Sequence, residues 1–260
     1  MADNQQKVVD NWKSVKVQVR YCMSIGYTWL ITSRKLAKSR GFNLLLLLYK
    51  KEDKMSYQLT EGNKTRLREK IVQGAKNYDK YLNNKCFKII CEDGFHTEVR
   101  FFQDDFKHLT GIESDLNESD FYAKCCKDLI STGNILTNQS YDWSTLRGKS
   151  NRIASIHELL YKDAKKTLLI NGLITHTYVF PVAIRNDEIN SCVGFVSNIN
   201  KARSLRKAGT SKNTQTEKTI IAILGRKNGN SIYDEIVYMK DKGEVLSVYP
   251  SILGEISVKI

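Results

Sequence analysis

The sequence predicts an α+β domain in which N-terminal helices pack on an antiparallel, meandering β-sheet, preceded by a short basic N-terminal extension. Three observations predict it. Apolar residues recur at steps of three and four across much of positions 64–160, and after position 168 they alternate instead. The turn pairs Asp93-Gly94, Asn171-Gly172 and Lys242-Gly243 punctuate runs of strand-forming residues. Helical period first and strand period afterwards is the α+β order.

The elements follow in order. KTRLREKIVQGAKNYDKYLNN (64–84) sets Leu67, Ile71, Ala75, Tyr78 and Leu82 on one face of an amphipathic helix. KCFKIIC (85–91) and TEVRFF (97–102) flank the acidic turn EDGFH as a hairpin. DDFKHLTGI (104–112) reads as a turn-like junction before a second helix, which starts near Glu118 with Asn117 or Ser119 as cap and stops at Gly133. A third helix starts after Ser150 and carries Ile153, Ile156, His157 and Leu160 on one face. LLIN (168–171), Asn171-Gly172 and LITHTYVFPVAIR (173–185) suggest a hairpin or one long bent strand. Further strands are expected at CVGFVS (192–197), TIIAIL (219–224), YDEIVYM (233–239) and EVLSVY (244–249).

Residues 1–54 lack a convincing period and carry 11 Lys and Arg against 4 acids, or +7. Common codons for Lys-Glu-Asp-Lys ahead of Met55 spell a purine-rich ribosome-binding sequence, and Lys outnumbers Arg 29 to 12, as in an AT-rich bacterial gene. Two readings stay open: translation that begins at Met55, with 1–54 outside the native product, or a small basic domain followed by an ordinary charged linker. In both, 55–260 is the folded domain.

Composition narrows the function classes. The longest strongly apolar run, FNLLLLLY at 42–49, falls far short of the roughly 18–20 residues of a membrane span, and no membrane partner is expected. The six cysteines (Cys22, Cys86, Cys91, Cys125, Cys126, Cys192) form no CxxC pair and have no histidine at zinc-ligand spacing. Buried thiols in a reducing cytoplasm, with no disulfide, metal or cofactor, are the expectation. Of the net charge of +13, eight basic residues against Glu217 alone fall within 197–227, whereas 92–128 holds ten acids against four bases. One segment of the body is built to meet an anion.

That segment is SNINKARSLRKAGTSKNTQTEK (197–218), whose cations alternate with Ser, Thr, Asn and Gly. A charge run of this kind is usually a solvated loop; its concentration here favours a polyanion held through Lys201, Arg203, Arg206, Lys207, Lys212, Arg226 and Lys227. No phosphate loop, GxSxG elbow or HExxH pair is present. Among the four histidines, His157 suits a packed, hydrogen-bonded role, His176 lies in a strand, His96 sits in an exposed turn, and His108 stands at the junction among Asp104, Asp105, Lys107 and Thr110. Taken alone, His108 is more often a residue that shapes the turn before Gly111.

Helix, hairpin, F-x-x-D-F-K-H-L-T-G-I, helix with Phe121-Tyr122, and then a strand-rich basic half resembles a prophage-associated branch of the barnase–EndoU–colicin–RelE-like nuclease superfamily. The likeness covers about residues 64–249 and rests chiefly on Phe106–Gly111, FKHLTG. Only His108 transfers by position, framed by Leu109 and Gly111. The resemblance implies a metal-independent endoribonuclease or toxin-like effector of prophage origin, in which the ribose 2′-hydroxyl attacks the adjacent phosphate. His108 would move a proton, and Arg203, Arg206 and Lys212 would stabilise the phosphorane. The alternative is a non-catalytic nucleic-acid-binding or phage accessory protein that meets a host defence component. Expected partners are RNA and either an antitoxin or a host defence protein.

Overall fold

The computed structural model describes residues 58–136, 141–162, 164–175, 178–196, 198–211 and 216–258. The chain divides between Lys54 and Met55, and the fold below belongs to the second unit. The expectations placed on residues 1–54, His176 and Lys212 lie outside the described residues.

Helix α1 (Glu61–Tyr81) starts where the Thr60 hydroxyl accepts the Asn63 amide at 3.2 Å. Strands β1 (Lys85–Cys91) and β2 (His96–Phe101) form the expected hairpin, with Gly94 at φ 78° supplying the turn. Then come α2 (Gln103–Thr110), α3 (Glu118–Cys126) and α4 (Trp143–Ser155). Strands β3 (Leu168–Ile174), β4 (Val179–Asn186), β5 (Ser191–Val196), β6 (Lys201–Arg206), β7 (Thr216–Lys227) and β8 (Glu235–Met239) complete the sheet, and α5 (Lys242–Val248) follows.

The sheet is a closed, mixed barrel rather than a simple antiparallel meander. Its order is β1-β2-β6-β5-β4-β3-β7, and β7 pairs back onto β1, with β8 added beside β7. Two features close it. Strand β7 is long enough to pair with β3 through Thr216–Thr219 and with β1 through Ile220–Lys227. Strand β6 enters beside β2 in the parallel sense, at Arg100↔Lys201, because the helices between β2 and β3 form a crossover that a hairpin cannot make.

One face of the sheet holds the main core. Leu67, Ile71 and Tyr78 of α1, Phe106 and Leu109 of α2, Phe121 of α3 and Ile153 of α4 pack on Phe87, Val99, Phe101, Ile184, Phe195 and Leu205. Gly74 lets α1 approach α4, since a Cβ there would stand 3.0 Å from the Ile153 carbonyl oxygen. A second cluster joins Ile90, Ala222 and Leu224 to Tyr233, Val245, Tyr249 and Ile252.

Several elements differ from expectation for identifiable reasons. Residues 244–249 lie mostly in α5, not in a strand: the Asp241 carboxylate accepts the Glu244 amide at 2.8 Å, a helix start that outweighs the β-branched residues. The second helix stops at Cys126, beyond which Asp128 takes φ 58°, well before Gly133. The third begins at Trp143 under an Asp142 cap. Asn171-Gly172 lies within β3, with Gly172 at φ 67°, and the β3–β4 connection closes where the Thr175 amide donates to the Tyr178 carbonyl. The basic segment is not a solvated loop throughout, since its middle is β6, with Ala202 and Leu205 fully buried.

Candidate nucleic-acid interface

DDFKHLTGI lies in and just beyond helix α2. The buried Asp105 carboxylate accepts the Phe102 amide at 3.1 Å and so starts the helix. Gly111 ends it at φ 69°. Phe106 and Leu109 point into the core with no exposure, and His108 is left on the outer side. The turn-shaping role foreseen for His108 therefore falls to Asp105, Thr110 and Gly111; the Thr110 hydroxyl accepts the Ile112 amide at 3.1 Å.

Gly111 has a second reason to be glycine. A Cβ there would stand 2.7 Å from Lys149 Cδ and 3.2 Å from the Tyr141 ring. Lys149 projects from α4, is 8% exposed, and donates from Nζ to the Leu205 carbonyl of β6 at 2.9 Å. Its ammonium lies 5.4 Å from the Tyr141 ring centre. Burial, then Arg206 and Arg152, lowers its pKa to about 8. Among the described residues no carboxylate pairs with it. A buried, unneutralised lysine is costly to keep.

Helices α2 and α4 both pack on β6, and this junction gathers the cations. Surrounding protein desolvates the partly exposed His108 ring, and Arg203, Lys149 and Lys201 add repulsion, so its pKa falls to about 4 despite the opposing Glu118. His108 is neutral at pH 7. Lys201 bridges back to Asp105 at 3.2 Å, and the Asp105 carboxyl is raised by burial against the pull of Lys201. Arg203 is exposed, and Arg206 Nε donates to the Ser204 hydroxyl at 3.0 Å. The exposed Lys207 follows β6 directly.

His108 thus stands within the field of Arg203, Lys149 and Lys201, and Lys149 within that of Arg206 and Arg152. The structure places Arg226 in a different cluster. The Glu98 carboxylate accepts from Arg226 at 3.0 Å, Arg100 at 2.7 Å, the Tyr233 hydroxyl at 2.5 Å and the Cys86 thiol at 3.3 Å. Burial opposes ionisation, but these donors outweigh it and hold Glu98 down at about 2. This network braces β1, β2 and β7. Lys227 is exposed at the end of β7, opposite Lys85.

The other histidines take separate places. His157 stacks on Tyr81 at 4.8 Å, packed as expected, but its buried Nδ1 has no hydrogen-bond partner among the described residues. His96 is exposed, with its ring 4.5 Å from Tyr249. Sequence reasoning missed Lys149. The signal was present, since Lys149 shares the stripe of Leu146 and Ile153, where a lysine is out of place.

The described residues hold no group of three or more His, Cys, Asp and Glu side chains placed to bind a metal ion, and no helix long and apolar enough to cross a membrane. Residues 70–242 match the family model described as phage-Barnase-EndoU-ColicinE5/D-RelE like nuclease4. No curated protein and no solved structure matched the chain.

Proposed function

The chain belongs to the phage-Barnase-EndoU-ColicinE5/D-RelE like nuclease family, and on that premise we propose that it is an endoribonuclease whose site is the junction of α2, α4 and β6. The observation that carries this reading is the buried, unneutralised Lys149 beside His108, Arg203 and Arg206. An RNA phosphate supplies the missing anion. The ribose 2′-hydroxyl then attacks the adjacent phosphorus, the P–O5′ bond breaks, the 5′-oxygen leaves with a proton from water, and a 2′,3′-cyclic phosphate remains. Arg203, Arg206 and Lys149 oppose charge on the phosphorane, and the neutral His108 ring accepts the 2′-hydroxyl proton. Side chains supply both proton transfer and positive charge, which supports a cleavage that proceeds without a metal. The phage and colicin members named in the family description support a toxin-like effector of prophage origin, one that an antitoxin would restrain. Lys207 extends the phosphate track, while Arg226 and Lys227 lie outside this proposed site.

One observation favours a second reading. A histidine held at about 4 is a weak base, so the same cations would also suit a protein that holds RNA without cutting it, a phage accessory protein that meets a host defence component. A bound phosphate offsets the three cations and raises His108 in either reading, so the fate of the RNA separates the two. Incubating single-stranded RNA with the protein in EDTA tests the proposal. Fragments that end in cyclic phosphate are expected; intact RNA shifted on a gel would overturn cleavage in favour of binding alone.

A further inference from the structure

The β3–β4 hairpin ends in an exposed apolar patch that the phosphate site does not use. Ile174 is 45% exposed, Tyr178 49% and Val179 55%. Exposed aromatic and branched side chains together at a strand end usually have something to cover. Here the aromatic is anchored. The Tyr178 ring lies 4.8 Å from the Phe180 ring at a tilt of 57°, and Phe180 is 2% exposed. Phe180 is seated on Gly194 of β5, where a Cβ would stand 2.6 Å from its ring. A base that lands on Tyr178 therefore meets a ring backed by packed structure, not a free rotor.

The second observation is electrostatic. The Arg206 guanidinium lies over the same Phe180 ring at 5.7 Å, and Arg206 is one of the cations that act on buried Lys149. The aromatic pair and the cation cluster thus share a side chain. A nucleotide presents the same pairing, an anionic phosphate joined through one sugar to a flat, polarisable base.

Resting on the RNA reading above, we propose that Tyr178, backed by Phe180, is a stacking platform for one unpaired nucleobase whose neighbouring phosphate is held at Arg206. Stacking on an aromatic ring tolerates any base, since every base offers a π-face. The platform therefore selects single strands over duplex, in which both faces are covered by neighbours. A protein partner would cover the same patch through contacts that need no adjacent phosphate; the aromatic–arginine continuity favours nucleic acid.

The test uses the full 260-residue chain and single-stranded oligonucleotides protected from cleavage by 2′-O-methyl groups, with 2-aminopurine moved one position at a time. The expected result is quenching concentrated at one position. Tyr178→Ala should lose that quenching and about ten-fold in affinity, Tyr178→Trp should keep both, and thermal unfolding should not change. An oligonucleotide that lacks the base at that position should bind wild type and Tyr178→Ala alike. If wild type binds but Tyr178→Ala matches it in affinity and quenching, the platform is overturned and the phosphate site stands. Equal loss by Tyr178→Ala on the abasic strand also overturns it. If wild type binds no RNA, the RNA reading falls and takes the platform with it.

Discussion

Lys149→Met isolates the buried cation at the centre of the site. The substitution keeps the aliphatic stem under Gly111 and Tyr141 and removes only the ammonium. An ordinary lysine titrates at 10.5 and this one at about 8. At ~1.4 kcal/mol per pH unit, that gap is about 3 kcal/mol of instability carried by the ionised side chain. The lost bond to the Leu205 carbonyl returns about 1 kcal/mol, so the variant should be more stable than wild type by about 2 kcal/mol at pH 7. The sign with pH follows from linkage. The folded-state pKa is depressed for a cation, so the penalty is complete below pH 8, shrinks as pH rises towards 10.5, and is gone above it. Urea unfolding of both proteins at pH 7 and pH 10.5 reads this directly, and RNA affinity measured on the same samples should fall in the variant. A variant less stable than wild type at pH 7, or a difference that does not narrow by pH 10.5, would refute the picture of an unneutralised buried charge kept for an anionic ligand.

Two further outcomes follow from the same geometry. Arg203→Gln with Arg206→Gln should weaken RNA binding for all sequences alike and reduce the slope of log K against log salt by about 0.7 per lost phosphate contact on a single strand, as a titration at several salt concentrations would show; an unchanged slope would remove both arginines from the phosphate site. Glu98 lies at about 2 in the fold against an ordinary 4.5, so its stabilisation is complete above pH 4.5 and drains away as pH falls towards 2. Its upper bound is about 3 kcal/mol. Glu98→Gln should flatten acid unfolding in that window, and a variant that tracks wild type there would remove the network from the stability account.

What was legible depended on whether the physics was local. The α1 stripe of Leu67, Ile71, Ala75 and Tyr78 and the Asp93-Gly94 hairpin were readable because three-to-four spacing and a glycine turn act within a few residues. Barrel closure was not, because it depends on β7 pairing with two distant strands and on one parallel contact at Arg100↔Lys201. The glycine of FKHLTG was read only as the end of a turn. It both ends α2 and makes room for a lysine 38 residues on, a neighbour that spacing cannot reveal. The basic run pointed to Arg203 and Arg206, yet alternation inside it also encoded a strand, as Ala202 and Leu205 show. Arg226 looked like part of the same positive surface until the fold tied it to Glu98.

The most direct measurement is the rate at which the full chain cuts single-stranded RNA in EDTA, compared with the rates of His108→Ala and His96→Ala under the same conditions. His108 stands among Arg203, Lys149 and Lys201, whereas His96 rests against Tyr249 away from them. The account predicts cyclic-phosphate products from wild type, a loss of about a hundred-fold or more in His108→Ala, and little change in His96→Ala. Full activity in a folded His108→Ala variant would contradict it.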